Sequence, residues 1–350
     1  MSTIVRRKWE EKNSDDNDED VTLSGHPGRQ GDDILPTEHL LQDDGEHKNI
    51  KQSKKVFKDI NHYHRIPYSE MPSWMGDNEF ILNQHRPEMN SFKECFKSIF
   101  GFHSETGNIW THLLGLLGFV IITIVFYIKP FCDQCSSDIP TLDRVIFIFF
   151  FLGAMCCLSF STMFHTLLCH SEHVKMFFNK LDYAGISILT IGSFVPWIYY
   201  GFYCDFIYKV VYISAISVLA GGTILVSMID KFASAAYRTV RATLFVCLGL
   251  FAVVPFSHFV YLHGWEGAKD VAGVDGVLLV AFLYISGAVL YGVRVPERFM
   301  AGRCDLWFQS HQIFHCLVVA AALVQFYGMK RLALYRLTQV IMLEYFQYLV

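Results

Sequence analysis

The sequence predicts an all-α membrane protein, a seven transmembrane helix bundle. Three observations carry that expectation. The 350-residue chain is 52% apolar. Its apolar residues gather in seven long runs, at 109–128, 145–168, 181–203, 206–229, 242–262, 277–293 and 306–329. Each run approaches the ~20 residues a helix needs to cross the hydrocarbon layer. Seven such runs in succession leave too little polar surface to dissolve the chain as a water-soluble globule.

The segment ahead of the first run has a different composition. Residues 1–60 carry an acidic cluster (Glu10, Glu11, Asp15, Asp16, Asp18, Glu19, Asp20) and few aromatics. Such a stretch buries too little surface to offset chain entropy, so disorder is expected there. Arg6, Arg7 and Lys8 lead into acid and not into an apolar run, so no secretory signal is read. The net charge of −4 and the acidic start give nucleic-acid binding no support.

Residues 61–107 read as an arm lying against the membrane. Within it, Ser91–Phe100 has the spacing of a short amphipathic helix, with Phe92, Phe96, Ile99 and Phe100 on one side. Ser104-Glu105-Thr106-Gly107 then turns the chain into the bilayer. The seven-helix domain is expected over 108–330, and 331–350 is expected to form an extracellular tail. Pro196 and Pro255 fall inside helical runs, where a kink is the default expectation. Gly221-Gly222 permits a close helix contact.

Orientation follows from basic residues in the loops. Lys175 and Lys180, then Lys231, Arg238 and Arg241, then Arg294, Arg298 and Arg303 mark alternate connections. Those connections are placed on the cytoplasmic side. The amino terminus is therefore cytoplasmic and the carboxyl terminus extracellular, opposite to the G-protein-coupled receptors. Lys330, Arg331 and Arg336 weigh against this placement, although charges beside the early spans count for more.

Ten cysteines are spread along the chain, and most read as small buried apolar residues. Cys132 and Cys135 form a CxxC between the first two runs, compatible with an external disulfide.

Polar residues inside such runs are costly and point to function. His165 ends the second run, Asp182 begins the third, and His311 and His315 lie two to three turns into the seventh. With a rise of about 1.5 Å per residue, all four fall within roughly 15 Å of the cytoplasmic boundary. His311 and His315 are spaced i, i+4 and share a helix face. With His165 they make a three-histidine set, the donor pattern of zinc. Three ligands leave one tetrahedral position for water, and zinc acidifies such a water to about pKa 7. Asp182 would accept its proton. Ser161, one turn before His165, would support the site or orient substrate. A purely structural zinc tying the helices together is the alternative. Taken singly, His112, His258 and His263 read as packing residues. Arg241 reads equally as a lipid-headgroup contact and as a snorkelling surface arginine.

Several motifs go further. Asn108-Ile109-Trp110-Thr111-His112, Ser161-x-x-x-His165, Lys180-Leu181-Asp182-Tyr183, Gly192-Ser193-Phe194-Val195-Pro196-Trp197, Val295-Pro296-Glu297-Arg298-Phe299 and Ser310-His311-Gln312-Ile313-Phe314-His315 resemble the adiponectin receptor branch of the progestin and adipoQ receptor family. The resemblance covers about 90–328, with no match seen before about residue 60. It implies seven helices, an internal amino terminus and a zinc near the inner leaflet held by His165, His311 and His315. It assigns the site aspartate to Asp182 and the site serine to Ser161, and brings Tyr183, Arg241 and Tyr291 near bound lipid.

The activity implied is that of a plasma-membrane receptor acting in lipid and fatty-acid metabolism. It would hydrolyse a lipid amide, ceramide foremost. A non-catalytic receptor or membrane-state sensor with a structural zinc is the alternative. The partners implied are membrane lipids (ceramide or free fatty acid), an extracellular protein ligand and a cytoplasmic adaptor at the amino-terminal region. An ion or solute transporter fits less well, since the polar residues cluster at one end and trace no path across.

Overall fold

The computed structural model describes residues 64–129, 141–233 and 235–349. The acidic segment at 1–60 and the Cys132/Cys135 pair lie outside the described residues. Among those described, regular structure is helical, apart from one isolated antiparallel bridge between Ile66 and His85.

A short helix α1 (Phe92–Ser98) precedes the bundle, capped by Ser91 Oγ accepting from Glu94 N. Phe92, Phe96 and Phe100 are exposed while Cys95 and Ser98 face inward, which is the amphipathic division expected. Seven helices follow that are long and apolar enough to cross a membrane. They are α2 (Thr106–Ile128), α3 (Thr141–Leu167), α4 (Glu172–Gly201), α5 (Phe206–Ser227), the pair α6 (Arg238–Leu250) and α7 (Val253–Gly267) forming one span, α8 (Val274–Val293) and α9 (Ser310–Leu349).

The boundaries correct the sequence reading in four places. Helix α4 begins ten residues before Asp182, at Glu172, so Lys175 and Lys180 stand on a helix and not in a loop. The connection from α3 shrinks to 168–171. Helix α9 starts at Ser310, which puts His311 in its first turn instead of two turns in. The same helix continues without a break through the segment expected as a tail, since its residues carry no helix-stopping Gly or Pro. The fifth span breaks between Leu250 and Val253, with Pro255 in the first turn of α7, where a missing N–H is tolerated. Pro196 lies inside α4, which remains one helix to Gly201.

The core is aromatic. Phe119, Phe126, Phe147, Phe150, Phe151 and Phe326 interlock between α2, α3 and α9, with ring centroids 4.6–6.4 Å apart. Close approach of α3 and α4 depends on Gly192, where an added Cβ would meet the Phe149 carbonyl oxygen at 2.5 Å. Gly221 and Gly222 do not play that part, since nothing lies within 4 Å of either.

Candidate metal centre

The last turn of α3 and the first turn of α9 meet at the end of the bundle covered by the arm. His165 Nε2 lies 3.2 Å from His311 Nε2, which lies 3.1 Å from His315 Nε2. Together the three form a cluster that could hold a metal ion.

The hydrogen bonds on the far side of two rings decide what the cluster can do. His165 Nδ1 is 2.7 Å from Glu105 Oε2, and His315 Nδ1 is 3.1 Å from the Asn108 carbonyl oxygen. Both partners accept, so each Nδ1 carries the proton and each Nε2 presents a lone pair. The lone pairs of His165 and His315 then both face His311 Nε2, and either a proton on that nitrogen or a cation at the centre bridges them. Two nitrogens bound tetrahedrally at about 2.0–2.1 Å from one zinc stand about 3.3–3.4 Å apart. The observed spacings are close to that, so the donor set fits zinc.

Supports surround each ligand. Arg86, 2% exposed, donates to Thr166 O at 2.9 Å, to Ser98 Oγ at 2.7 Å and to the His165 carbonyl. It thereby caps α3 and fixes its last turn. Fully buried Glu297 does the matching job for α9, its Oε2 accepting from Ser310 N at 2.7 Å and its Oε1 from Ser310 Oγ. A carboxylate there also complements the helix dipole. His112 stacks on His315 with ring centroids 3.7 Å apart and planes 9° apart. Glu105 lies just outside α2. Burial pushes its carboxyl upward, but hydrogen bonds from His165 and Asn108 and the charge of Arg86 hold it well below the usual carboxylate range.

Two cavities meet at the cluster. A polar one of about 430 Å³ is lined by arm residues Trp74, Asp77 and Asn78 and by Glu105, His165, Arg238 and Arg294. An apolar one of about 260 Å³ runs between α4, α6, α8 and α9, and Ser161 and Arg241 line it. Asp182, Tyr183, Tyr291 and His311 line both. The structure thus brings all eight expected residues to the walls of these two cavities, four of them where the cavities adjoin. Arg241 is buried, with its guanidinium carbon 4.6 Å from the Tyr183 ring centroid, so it is not a snorkelling surface residue. Tyr291 packs against His311 at 5.0 Å.

The arm is tied over the polar cavity. Arg238 Nη2 donates to Asp77 O at 2.7 Å and pairs with Asp77 Oδ1 at 2.5 Å, Arg294 Nη2 donates to Asp77 O at 2.5 Å, and Lys175 donates to Trp74 O. Sequence reasoning missed Glu105, Arg86, Asp77 and Arg238 as parts of the site. Their spacing along the chain gives no periodic signal, and Glu105 was read only as part of the turn into the first run.

A family model described as haemolysin-III related matches residues 100–326, a range that contains the whole ligand set. The chain belongs to the haemolysin-III-related family. Among its relatives, this haemolysin-III-related protein is 48% identical over 269 residues to the adiponectin receptor protein of Drosophila melanogaster, covering 77% of this chain and 60% of that one. It is 44% identical over 321 residues to progestin and adipoQ receptor-like protein 1 of Caenorhabditis elegans, covering 91% of this chain and 72% of that one. It is 34% identical over 310 residues to heptahelical transmembrane protein 1 of Arabidopsis thaliana, covering 88% and 93%. The chain spans less than two thirds of the Drosophila relative's length. The C. elegans match is too long to leave out the first sixty residues, so the similarity reaches further toward the amino terminus than the motifs suggested. The haemolysin-III-related chain is thus a seven-helix, adiponectin-receptor-like membrane protein.

Proposed function

We propose that this protein is a zinc-dependent hydrolase of lipid amides, ceramide foremost, serving as a receptor in the plasma membrane. The single observation that supports this most is the meeting of an apolar and a polar cavity at the three-histidine cluster. An amphiphile would lie with its acyl chain in the first and its polar part in the second, its amide at the junction. Zinc bound by His165, His311 and His315 supplies Lewis acidity and acidifies water to about pKa 7.

The chain's own groups do the rest. Asp182, at the junction, takes a proton on its carboxylate from water and passes it to the departing amine nitrogen. Ser161, 1% exposed and lining the same cavity as Asp182, orients that carboxylate. Tyr183, Arg241 and Tyr291 hold the polar head, and the apolar walls exclude bulk water. Products are a fatty acid and a sphingoid base.

In this reading the arm and the site face the cytoplasm. Lys175, Lys180, Arg238, Arg241 and Arg294 all belong to that end, as cytoplasmic basic residues do. Residues 1–60 serve a cytoplasmic adaptor. The opposite face takes an extracellular protein ligand, a reading supported by the Drosophila relative's being named an adiponectin receptor.

A second reading makes the zinc structural and the protein a non-catalytic receptor or membrane-state sensor. It is favoured by the way the cluster joins α3 and α9 to Glu105 and Asn108 at the start of α2. Purified zinc-loaded protein given defined ceramides separates the two. Hydrolysis requires fatty acid release by wild type and none by His311→Ala. An Asp182→Asn protein that keeps zinc and loses turnover supports catalysis, whereas a wild type no better than the variants leaves the sensor.

A further inference from the structure

The apolar cavity does not end as it runs. Along α4 its wall is built by Asp182, Ile186, Thr190, Ser193 and Trp197, which recur on one helix face. From Asp182 to Trp197 is about 22 Å at a rise of about 1.5 Å per residue. That length matches a long acyl chain, and at its far end the apolar wall is interrupted by Ser193, Trp197 and Gln325.

Trp197 is 8% exposed, and its Nε1 is buried without a hydrogen-bond partner among the described residues. One turn earlier, Ser193 Oγ spends its proton on Leu189 O at 2.8 Å, and Thr190 Oγ1 spends its own on Ile186 O at 2.8 Å. Both oxygens keep lone pairs. Gln325 of α9, also in the cavity wall, donates its Nε2 to Ser193 O at 3.4 Å and keeps its Oε1 as an acceptor. The far end therefore holds one unspent donor, on the α4 face that also carries Ser193, with Gln325 of α9 in the same cavity wall. An alkyl terminus satisfies none of them. A hydroxyl satisfies both kinds, accepting from Trp197 and donating to Gln325 or Ser193.

We propose that this end is a second polar subsite, selecting acyl chains that carry an oxygen function, a hydroxyl above all, at or near the end remote from the reacting group. The inference rests on the acyl-channel reading given above and is independent of whether hydrolysis occurs.

The test is equilibrium binding to the full-length, zinc-loaded protein in detergent, with palmitic acid and its ω-hydroxy derivative as probes. Wild type is expected to bind the hydroxy acid about tenfold more tightly, the scale of one bond to a buried donor. Trp197→Phe keeps an aromatic ring and removes the donor, so the ratio falls to about one whatever the smaller ring does to the affinity for palmitic acid. Gln325→Leu, which alters a different helix, lowers the same ratio. A wild-type ratio near one means the tryptophan N–H is served by water alone and overturns the subsite. A ratio that survives Trp197→Phe also overturns it. If neither acid binds, the acyl-channel reading falls and takes this inference with it. If the preference is seen without any ceramide turnover, the subsite stands and only catalysis is lost.

Discussion

Glu105 Oε2 accepts the Nδ1 proton of His165 across 2.7 Å, sixty residues away in the chain. This one bond fixes the tautomer of a proposed metal ligand, joins the start of α2 to the end of α3, and places a carboxylate behind the cluster. Glu105→Gln removes the charge and can present its amide to the ring the wrong way round. We expect zinc affinity to fall about 10–100-fold, the usual cost of losing such a support. Competition with a chelator of known affinity measures it. An unchanged affinity would show that the carboxylate is incidental to metal binding.

If zinc fills the cluster as proposed, stripping it should loosen the bundle, because the ion would bolt α3 to α9. A chelator is expected to lower the thermal midpoint of wild type, and re-addition of zinc to restore it. His311→Ala should start at the lower midpoint and ignore the chelator. A midpoint insensitive to chelator in wild type counts against any metal in this site.

The tie between Asp77 and Arg238 gives a pH signature. Asp77 is half exposed, and while the protein around it pushes its carboxyl up, the Arg238 charge and hydrogen bond, helped by Lys175 and Arg294, hold it below the usual range. A depressed carboxylate stabilises the closed arm at pH values above its unfolded pKa of about 3.9, and that contribution is lost as pH falls through the lower folded value. Hydrogen exchange of residues 74–79 should therefore show no change in arm opening between pH 5 and 8 once intrinsic rates are removed. Asp77→Asn should raise opening at pH 7. Opening that grows as pH drops through the histidine range would instead assign the tie to an imidazole.

Helix contact makes a paired prediction. Gly192→Ala drives a Cβ to 2.5 Å from the Phe149 carbonyl, which sits in backbone and cannot step aside cheaply. A loss of about 1–3 kcal/mol is expected, the range for overpacking. Gly221→Ala meets nothing within 4 Å and should be neutral. Thermal or denaturant stability in one detergent compares them, and equal effects would mean α3 and α4 are less closely apposed than found.

Spans, the clustering histidines and motif residues were legible in the sequence because each has a local signature. Run length identifies a span, i, i+4 spacing pairs His311 with His315, and depth brings in His165. Helix ends were harder. Lys175 and Lys180 looked like loop residues because they are charged, yet α4 carries both, one anchoring Trp74 and the other pairing with Asp230 at 2.5 Å. The final helix was mistaken for a tail because its apolar pattern changes near residue 330 while its backbone does not. Glu105, Arg86 and Glu297 were illegible as site residues for a different reason. Their work is done on backbone and ring atoms brought near only by folding, and no spacing rule encodes that. His112 illustrates the same limit. It reads as a packing histidine and does pack, but against a ligand ring.

Orientation is open to a direct chemical test. Cys204 is exposed in the connection between α4 and α5, at the end of α4 remote from Asp182 and the cluster. If the site faces the cytoplasm, Cys204 faces outward. In a Cys132→Ser, Cys135→Ser background, a membrane-impermeant maleimide applied to intact cells should label the protein, and adding Cys204→Ser should abolish the signal. Buried Cys95 and Cys169, whose sulfurs are 3.7 Å apart beside the arm helix, should stay unlabelled even after permeabilisation. Labelling of Cys204 only after permeabilisation would invert the bundle, put the three-histidine end outside, and require the basic residues at that end to have been retained against the usual charge bias.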